Sequence, residues 1–427
     1  MKIAHFSTYD AAGGAARAAQ RLHHALVGEG VDSRLVVLRK SGSDPRCERV
    51  VPSSWWNEAR LELTAAAHNA LKYRYRADEA FSYDLTMLSA PTSGLIRQAS
   101  GAAVINLHWT RELLTSGQAR TVAERTGAAV VMTLMDLAAL TGGCHYTIGC
   151  TGYQRQCGRC PRLRSDKEHD WSRATWLRRR SNYAATPLTL VACNRWTRDR
   201  ARESSLLGTA RCEVIPLAID TELFRPIPKA MARYILGVRP EARVIFCGAL
   251  QMGQTRKGEA QLLEALRRLQ AAIAHALRHD QVLVLTAGAK DLAADANFPL
   301  PTQHLGLLGD DRSLALAYSA ADVFVSASLE DAGPMMVNEA LACGTPVAAF
   351  EVGTAADFVV NGYTGGLAPL GDAAALSRAI ADILLAPDPG AMTANCRRAA
   401  VDAYSPAVIA RRYRSLYEEL AACGRVA

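Results

Sequence analysis

The 427-residue sequence lacks the features that mark membrane-spanning and secreted proteins. It contains no run of about 18 apolar residues without charges, so a transmembrane helix is not predicted. Its first residues, MKIAHFSTYDAAGG, do not have the pattern of a signal peptide and are typical of a first β-strand. These absences predict a soluble cytoplasmic protein.

Two further signatures are missing. Gly13-Gly14 follows the first predicted strand where an oxidoreductase would carry GxGxxG, which argues against a dinucleotide-dependent enzyme. The usual nucleic-acid-binding signatures are absent as well. The net charge is nevertheless +8, and residues 151–215 hold fourteen Lys or Arg against six Asp or Glu, an excess equal to that of the whole chain. Such a segment favours an anionic substrate or peripheral contact with the inner face of an anionic membrane, with a solvated basic face as the equal alternative.

Cysteine is plentiful but unevenly distributed. Seven of the eleven cysteines are scattered, mostly in apolar contexts, and are interpreted as buried thiols. The other four lie within seventeen residues: Cys144, Cys150, Cys157 and Cys160. Four thiolates ending in Cys-x2-Cys can close a tetrahedral zinc site, which a cytoplasmic chain favours over disulfides. We predict structural zinc there, with His145 as a substitute ligand, and with disulfides, free thiols or an iron–sulfur cluster as alternatives.

Strand and helix patterns alternate along the whole chain, which predicts an α/β protein of two doubly wound, Rossmann-like domains. The first domain is expected over residues 1–220 and includes the cysteine-rich loop 141–163. The second is expected over 221–405, and 406–427 is predicted to be a helix that crosses back to the first domain. Clefts between domains commonly bind ligands, so we expect the two domains to face a cleft.

In the first domain, candidate residues follow the predicted strands directly. Gly13-Gly14 ends the first strand, and glycine lets a backbone approach a phosphate closely, although a tight turn is an equal alternative. His108 and Asp136 follow the strands predicted at 103–107 and 128–134. Ligands of open α/β sheets bind beyond the carboxyl ends of strands, so His108 is a candidate for substrate contact.

In the second domain, the segment 328–347, SLEDAGPMMVNEALACGTPV, holds most of the candidate residues. A polar turn with Glu330 and Asp331 precedes Gly333-Pro334, which opens a helix, and Glu339 lies about two turns along that helix. The free N–H groups of a helix start suit an anion. Carboxylates accept hydrogen bonds from sugar hydroxyls, so the segment predicts a binding site for a sugar nucleotide.

These motifs together resemble a known family. Essentially the whole chain is similar to retaining glycosyltransferases of the GT-B fold, in the large family 4 group. Asp331-x7-Glu339 resembles the Glu-x7-Glu motif of that family, Gly13-Gly14 its first glycine loop, and Arg256-Lys257-Gly258 its basic diphosphate clamp. His108-Trp109 and the cysteine-rich loop are similar to a subgroup that acts in bacterial polysaccharide assembly.

The resemblance implies a role for each motif. Glu339 would bind ribose hydroxyls of a nucleotide-sugar donor, and Asp331 or the adjacent Glu330 would bind hydroxyls of the donor sugar. The donor diphosphate would be held by Gly13, Gly14, Arg256, Lys257, Pro334, Met335 and Met336. No catalytic metal would be needed. The sugar would pass, with retention of anomeric configuration, to a saccharide, lipid-linked or small-molecule acceptor.

The sequence departs from the family pattern at Met135, where relatives often carry a histidine that contacts the donor sugar. Methionine cannot donate a hydrogen bond, so His108 or Asp136 is expected to take that role, unless donor choice differs. Two other functions stay open. One is a sugar-nucleotide epimerase of the same fold. The other is a non-catalytic scaffold or carbohydrate-binding protein, which Met135 favours.

Overall fold

The structure is a computed structural model that describes residues 1–52, 54–74, 89–248, 254–288, 299–333 and 335–423. The chain forms two compact units. Unit 1 comprises Met1–Ala218 together with the chain from Pro406 onward, and unit 2 comprises Ile219–Ser405. The boundary expected near residue 220 lies next to this division.

Unit 1 is built on a seven-stranded parallel sheet in the order β3-β2-β1-β4-β5-β6-β7. Its strands are β1 (Lys2–Tyr9), β2 (Asp32–Arg39), β3 (Cys47–Arg49), β4 (Val104–Leu107), β5 (Ala129–Leu134), β6 (Leu188–Ala192) and β7 (Arg211–Val214). Its helices are α1 (Gly14–Gly28), α2 (Trp55–Arg74), α3 (Thr92–Ala99), α4 (Ser116–Thr126), α5 (Trp171–Ala184), α6 (Arg195–Glu203) and the C-terminal helix Pro406–Cys423. The strand order reverses between β1 and β4, which makes their carboxyl ends the expected ligand position.

The C-terminal helix completes the hydrophobic core on one face of the sheet of unit 1. Its buried face carries Tyr413 and Tyr417, which cluster with residues of β1, α1 and β4. The sheet also presents polar residues here, among them Asn106, which interrupts the apolar run of β4. The Asn106 side chain donates to Tyr417 Oη at 2.6 Å and accepts from Thr133 Oγ1 at 3.0 Å, so this buried amide is satisfied.

Unit 2 repeats the architecture with a six-stranded parallel sheet in the order β10-β9-β8-β11-β12-β13. Its strands are β8 (Arg243–Gly248), β9 (Val282–Ala287), β10 (Thr302–His304), β11 (Val323–Ser326), β12 (Val347–Phe350) and β13 (Gly365–Ala368). Its described helices are α7 (Lys229–Leu236), α8 (Glu259–Ile273), α9 (Asp311–Ala320), α10 (Met335–Ala342), α11 (Gly353–Phe358), α12 (Ala373–Leu384) and α13 (Pro389–Tyr404). Here the order reverses between β8 and β11.

Some elements differ from the sequence-based expectation. The sequence predicts a helix over residues 196–206, but the helix ends at Glu203, because Ser204 adopts an extended conformation and its hydroxyl donates to the Leu140 carbonyl at 2.7 Å. The sequence also predicts a helix to about residue 278, whereas this helix, α8, ends at Ile273. The edge strands β3 and β10 escaped prediction because each has three residues and neither carries an apolar alternation. None of the helices in the described ranges combines the length and hydrophobicity that a membrane span requires.

Candidate functional site

The acidic turn of unit 2 lies beyond the carboxyl end of β11, at the point where the strand order reverses. Asp331 in this turn is 5% exposed, and its Oδ2 lies 2.6 Å from Lys257 Nζ and 3.6 Å from Arg256 Nη1. The two cations belong to a short 3-10 turn, Thr255–Lys257, in the segment between β8 and α8. Because β8 and β11 are neighbours, the sheet brings together two motifs that are distant in the sequence.

The backbone locks these two loops against each other. The Arg256 carbonyl accepts the Leu329 N–H at 2.7 Å. Gly258 has a φ of +67°, and a Cβ atom there would lie 1.9 Å from the Ala327 carbonyl oxygen. Only glycine fits this conformation and this close approach. The structure of the loop therefore explains why glycine follows Arg256-Lys257.

Asp331 is a charged carboxylate. Burial alone would raise its pKa, but the charges of Lys257 and Arg256, the hydrogen bond from Lys257 and the Gly333 N–H together lower the pKa below its usual 3.8. Two cations therefore face one carboxylate in a mostly buried turn. Lys257 and Arg256 can also contact a more highly charged anion such as a diphosphate.

Glu339 lies on α10 and is 3% exposed. Tyr318 donates its hydroxyl to Glu339 Oε2 at 3.1 Å. Tyr318 itself is fully buried and packs edge-on against Phe246 and Phe324, so the hydroxyl is held in one position. Met335 and Met336 begin the same helix, and Pro334 lies outside the described residues. The structure thus places Glu339 rigidly within the buried helix that follows the acidic turn.

In unit 1, Gly13 and Gly14 lie at the carboxyl end of β1 and are exposed. Gly13 is the N-cap of α1 with a φ of +85°, and no side chain caps the helix. The positive φ calls for glycine, whereas the open space around it does not. Uncapped N–H groups at an exposed helix start can receive an anion.

A pocket of about 110 Å³ lies in unit 1 at the carboxyl ends of β4 and β5. Its lining includes the candidates His108 and Asp136, together with Trp109, Met135 and His145 and with Arg111, which the sequence pattern did not single out. The sequence predicted the contribution of the two strand ends. The sequence did not predict that His145 of the cysteine-rich loop also lines this pocket.

His108 forms a pair with His5. Nε2 of His108 and Nδ1 of His5 lie 2.9 Å apart and the rings are stacked, with centroids separated by 5.2 Å. Burial lowers the pKa of His108 to about 3, and burial together with the charge of His108 lowers the pKa of His5 well below 6.5. Both imidazoles are therefore neutral near pH 7, so His108 can hydrogen-bond to a ligand but does not offer it a cation.

Asp136 holds His145. The carboxylate accepts hydrogen bonds from Trp109 Nε1 at 3.0 Å and from the Ala138 N–H at 2.7 Å, and it also contacts His145 Nδ1. Burial would raise the Asp136 pKa, but the charge of His145 and these hydrogen bonds lower it. His145 Nε2 has no hydrogen-bond partner among the described residues. Asp136 therefore positions the ring of His145 and leaves its other nitrogen available at the pocket.

The sequence pattern groups His145 with the neighbouring cysteines and does not predict its contact with Asp136. The loop returns to the end of β5, where the Leu137 N–H donates to the His145 carbonyl at 2.9 Å. A separation of nine residues between Asp136 and His145 gives no periodic signal of this contact. A histidine in a loop that directly follows a predicted ligand-side strand end is the one hint that the sequence contains.

Known proteins resemble this chain in sequence and in structure. Residues 241–385 match the family profile "Glycosyl transferases group 1". The whole chain superposes on sucrose-phosphate synthase from Thermosynechococcus elongatus with a TM-score of 0.66 and 21% identity, covering 99% of each chain. It superposes on Anabaena HepE in complex with UDP and glucose with a TM-score of 0.64 and 14% identity, covering 98% of this chain and 100% of the other. The chain has the GT-B fold.

Sequence relatives cover less of this GT-B chain. A GDP-mannose-dependent alpha-(1-6)-phosphatidylinositol monomannoside mannosyltransferase from Mycolicibacterium smegmatis is 32% identical over 234 residues, which is 50% of this chain and 56% of that protein. D-inositol 3-phosphate glycosyltransferase 2 from Catenulispora acidiphila is 31% identical over 189 residues, which is 42% of this chain and 43% of that protein. The chain thus spans about half the length of the curated relatives it matches.

The cysteine-rich loop of this GT-B chain partly fits the predicted zinc site. Cys144 and Cys160 are buried and their thiols are hydrogen-bonded. Backbone N–H groups donate to Cys157 Sγ at 3.2 Å and to Cys150 Sγ at 3.5 Å, as they often do around metal-bound thiolates. All eleven cysteines are free, so no disulfide is formed. However, no three of the four sulfur atoms lie within 4.8 Å of one another. The loop supplies the four ligands without gathering them into a closed site.

Several arginines of the basic segment 151–215 make contacts within the protein. Arg179 of α5 donates to the Thr141 carbonyl at 2.8 Å and also to the Ala138 carbonyl, which ties the cysteine-rich loop to α5. Arg173 pairs with Glu168 at 2.8 Å, and Arg200 pairs with Glu203 at 2.9 Å. Part of the positive charge of this segment is therefore paired within the protein.

Proposed function

We propose that the protein is a glycosyltransferase that moves a sugar from a nucleotide-sugar donor to an acceptor, with retention of anomeric configuration. The observation that carries the proposal is the cluster of Lys257, Arg256 and Asp331 at the strand-order reversal of unit 2, followed in the chain by the helix of the buried Glu339. It lies in the segment that matches the glycosyltransferase profile. Three of the donor-binding residues predicted for unit 2, Arg256, Lys257 and Asp331, form this cluster.

Within unit 2, we assign Lys257 and Arg256 to the donor diphosphate. Asp331 holds both cations in place, so a diphosphate meets a preformed charge cluster and no long side chain must be ordered on binding. This commitment of Asp331 leaves the sugar hydroxyls to Glu330, the other carboxylate of the turn. Glu339, fixed by Tyr318, is assigned to the ribose hydroxyls.

Within unit 1, we assign the sugar contact missing at Met135 to His145. Its Nε2 has no hydrogen-bond partner among the described residues, and Asp136 fixes its ring by the bond at Nδ1. A ring held in this way can exchange a hydrogen bond with a sugar hydroxyl at Nε2 without a change of rotamer. Asp136 then acts as a positioning residue, and neutral His108 supplies a second hydrogen-bonding group to the same pocket.

The proposed reaction needs no side-chain nucleophile. The bond between the anomeric carbon and the donor phosphate breaks while the acceptor oxygen attacks the same face of the sugar. The acceptor proton passes to the departing phosphate oxygen, and the nucleoside diphosphate leaves. Lys257, Arg256 and helix-start N–H groups offset the charge that develops on the leaving group, which is where electrostatic stabilisation is worth most.

The acceptor and the cysteine-rich loop complete the proposal. One relative is named for phosphatidylinositol monomannoside, which supports a lipid-linked acceptor, and another for D-inositol 3-phosphate, which supports a small-molecule acceptor; a saccharide acceptor stays open. The exposed arginines of α5 and α6 would assist contact with an anionic acceptor or membrane surface. Zinc bound by Cys144, Cys150, Cys157 and Cys160 would be structural, and it would hold the loop that carries His145.

The test is a thermal-shift screen of nucleoside diphosphates and sugar nucleotides, followed by incubation of the selected donor with saccharide and lipid-linked acceptors. A matching donor is expected to raise the melting temperature by several degrees at saturating concentration. Proton NMR of the product should then report the anomeric configuration of the donor. Isomerised donor in the absence of acceptor would indicate an epimerase. No shift with any nucleotide, together with intact donor, would contradict the proposal.

A further inference from the structure

Two histidines and an aspartate converge in unit 1, where α1 meets the loop between β2 and β3. Asp44 Oδ2 lies 2.7 Å from His24 Nε2 and 3.6 Å from His23 Nε2. A ligand atom from each residue lies within 4.8 Å of the other two. Among the described residues this is the only group of three or more His, Cys, Asp or Glu side chains with such spacing.

His23 is the residue that distinguishes this cluster from a surface ion pair. Its side chain is fully buried, and its Nε2 has no hydrogen-bond partner in the described parts of the chain. A buried nitrogen without such a partner is costly in a folded protein, so a missing ligand is the simplest explanation.

Ser33 sets the ring of His23. Ser33 Oγ lies 2.8 Å from His23 Nδ1 and can accept its proton, which leaves the lone pair on Nε2, on the side of Asp44. A polar group on the far nitrogen of a histidine is the usual support for a metal-binding imidazole. Asp44 is also supported, because its Oδ1 accepts the Arg46 N–H at 2.8 Å.

We propose that His23, His24 and Asp44 bind a divalent transition-metal ion of the zinc class. Two imidazoles and one carboxylate suit Zn²⁺, Co²⁺ or Ni²⁺, whereas Mg²⁺ and Ca²⁺ prefer oxygen ligands alone. The His24 side chain is 54% exposed, so an ion can reach the site and water can fill the remaining coordination positions.

The ion would tie α1 to the loop between β2 and β3. The same loop is held from the other side by Asp10, whose carboxylate accepts the N–H groups of Ser41 at 3.0 Å and Gly42 at 2.6 Å. Lys40 Nζ donates to the Asp44 carbonyl oxygen at 2.8 Å, and its positive charge opposes a cation, so we expect a site of modest affinity with a structural effect. None of these residues takes part in the proposed sugar transfer.

The test is calorimetric titration of Zn²⁺ into the full-length protein, with His24→Gln and Asp44→Asn as variants. Both substitutions are at partly exposed side chains, so folding should be preserved even if His23→Ala does not fold. The exposed His275 in unit 2 provides the matched control, His275→Gln. Wild type and control should bind one equivalent that the two variants bind at least ~10-fold more weakly. Ser33→Ala should weaken binding by about tenfold, because Ser33 only supports the ligand.

Metal bound at the cysteine-rich loop can be distinguished from metal bound by His23, His24 and Asp44 through its absorption spectrum. Cobalt held by thiolates absorbs in the near ultraviolet through sulfur-to-metal charge transfer, which a histidine and carboxylate site cannot produce. The thiolate signal should be the same in wild type and in all of these variants. Absence of the extra equivalent from wild type, or equal Zn²⁺ affinity in wild type, His24→Gln and Asp44→Asn, would overturn the proposal.

Discussion

The buried polar groups of the two units are stabilised in different ways. In unit 2, Asp331 lies 2.6 Å from Lys257 Nζ and within 3.6 Å of Arg256, so charge is balanced by opposite charge. In unit 1, His5 and His108 lie 2.9 Å apart as two imidazoles whose pKa values are lowered by burial. The first arrangement suits a phosphate, and the second suits neutral hydroxyl groups.

This difference separates the steps that each unit would serve. Removal of a cation from unit 2 should impair recognition and departure of the diphosphate. Removal of a hydrogen-bonding group from the unit 1 pocket should impair sugar transfer and leave nucleotide binding intact. Three predictions test this separation, in order of expected effect.

Replacement of Lys257 should have the largest effect. Lys257→Met removes the cation nearest Asp331 and leaves this buried carboxylate with Arg256 as its remaining basic partner in the cluster. Turnover is expected to fall by about 10²–10³-fold, as for the loss of one donor to a developing oxyanion, and diphosphate affinity should fall with it. Steady-state kinetics and calorimetry measure both. Lys229→Met is the control, since Lys229 pairs with Asp322 elsewhere in unit 2; an equal loss in both variants would remove the special role of Lys257.

Replacement of His145 should have an intermediate and selective effect. His145→Gln removes the imidazole that Asp136 holds at the unit 1 pocket, and loss of one hydrogen bond to the sugar should reduce turnover by about 10–100-fold. Affinity for the nucleoside diphosphate should stay at the wild-type value. His169→Gln, at an exposed histidine, is the control, and zinc content should be unchanged in both. If His145→Gln lost nucleotide affinity to the same extent as turnover, the proposed assignment of nucleotide binding to unit 2 and of the sugar contact to unit 1 would be wrong.

Acidification should remove the stabilising contributions of His108 and Asp331 over different pH ranges. The pKa of His108 is about 3 in the folded protein and 6.5 in an ordinary environment, so the unfolded chain binds more protons and stability falls as the pH drops below about 6.5. The loss from His108 alone should be about 2 kcal/mol between pH 7 and pH 5. Asp331 has a lowered pKa, so its contribution is fully present over that range and is lost only below about pH 4.

Urea denaturation of wild type and His108→Gln at pH 7 and pH 5 measures this effect. The variant should lose less stability over the interval than wild type, while His275→Gln should behave as wild type does. Equal pH dependence in wild type and His108→Gln would show that His108 titrates as an ordinary exposed histidine.

The sequence was informative where the motif is continuous. The segment around Asp331 and Glu339 was predicted to be a polar turn followed by a helix, and the structure has the turn and then α10. The α/β pattern likewise predicted the parallel sheets of both units. Local periodicity is sufficient for such elements because each one contains its own hydrophobic pattern.

Contacts between distant segments could not be predicted in the same way. His5 meets His108 across 103 residues, because β1 and β4 are neighbours only after the strand order is known. His145 reaches Asp136 through an irregular loop that has no period. Spacing alone placed four cysteines in one loop, but it did not reveal that no three of their sulfur atoms lie within 4.8 Å of one another.

We propose that unit 2 binds the nucleotide through the motif that ends at Glu339. Calorimetry with the nucleoside diphosphate selected by thermal shift tests it directly on wild type, Glu339→Gln and the control Glu264→Gln, a carboxylate on α8 whose side chain is 41% exposed. Glu339→Gln keeps the shape of the side chain and removes its charge, so affinity should fall by at least ~10-fold while the control binds normally. Unchanged affinity in folded Glu339→Gln protein would contradict the claim.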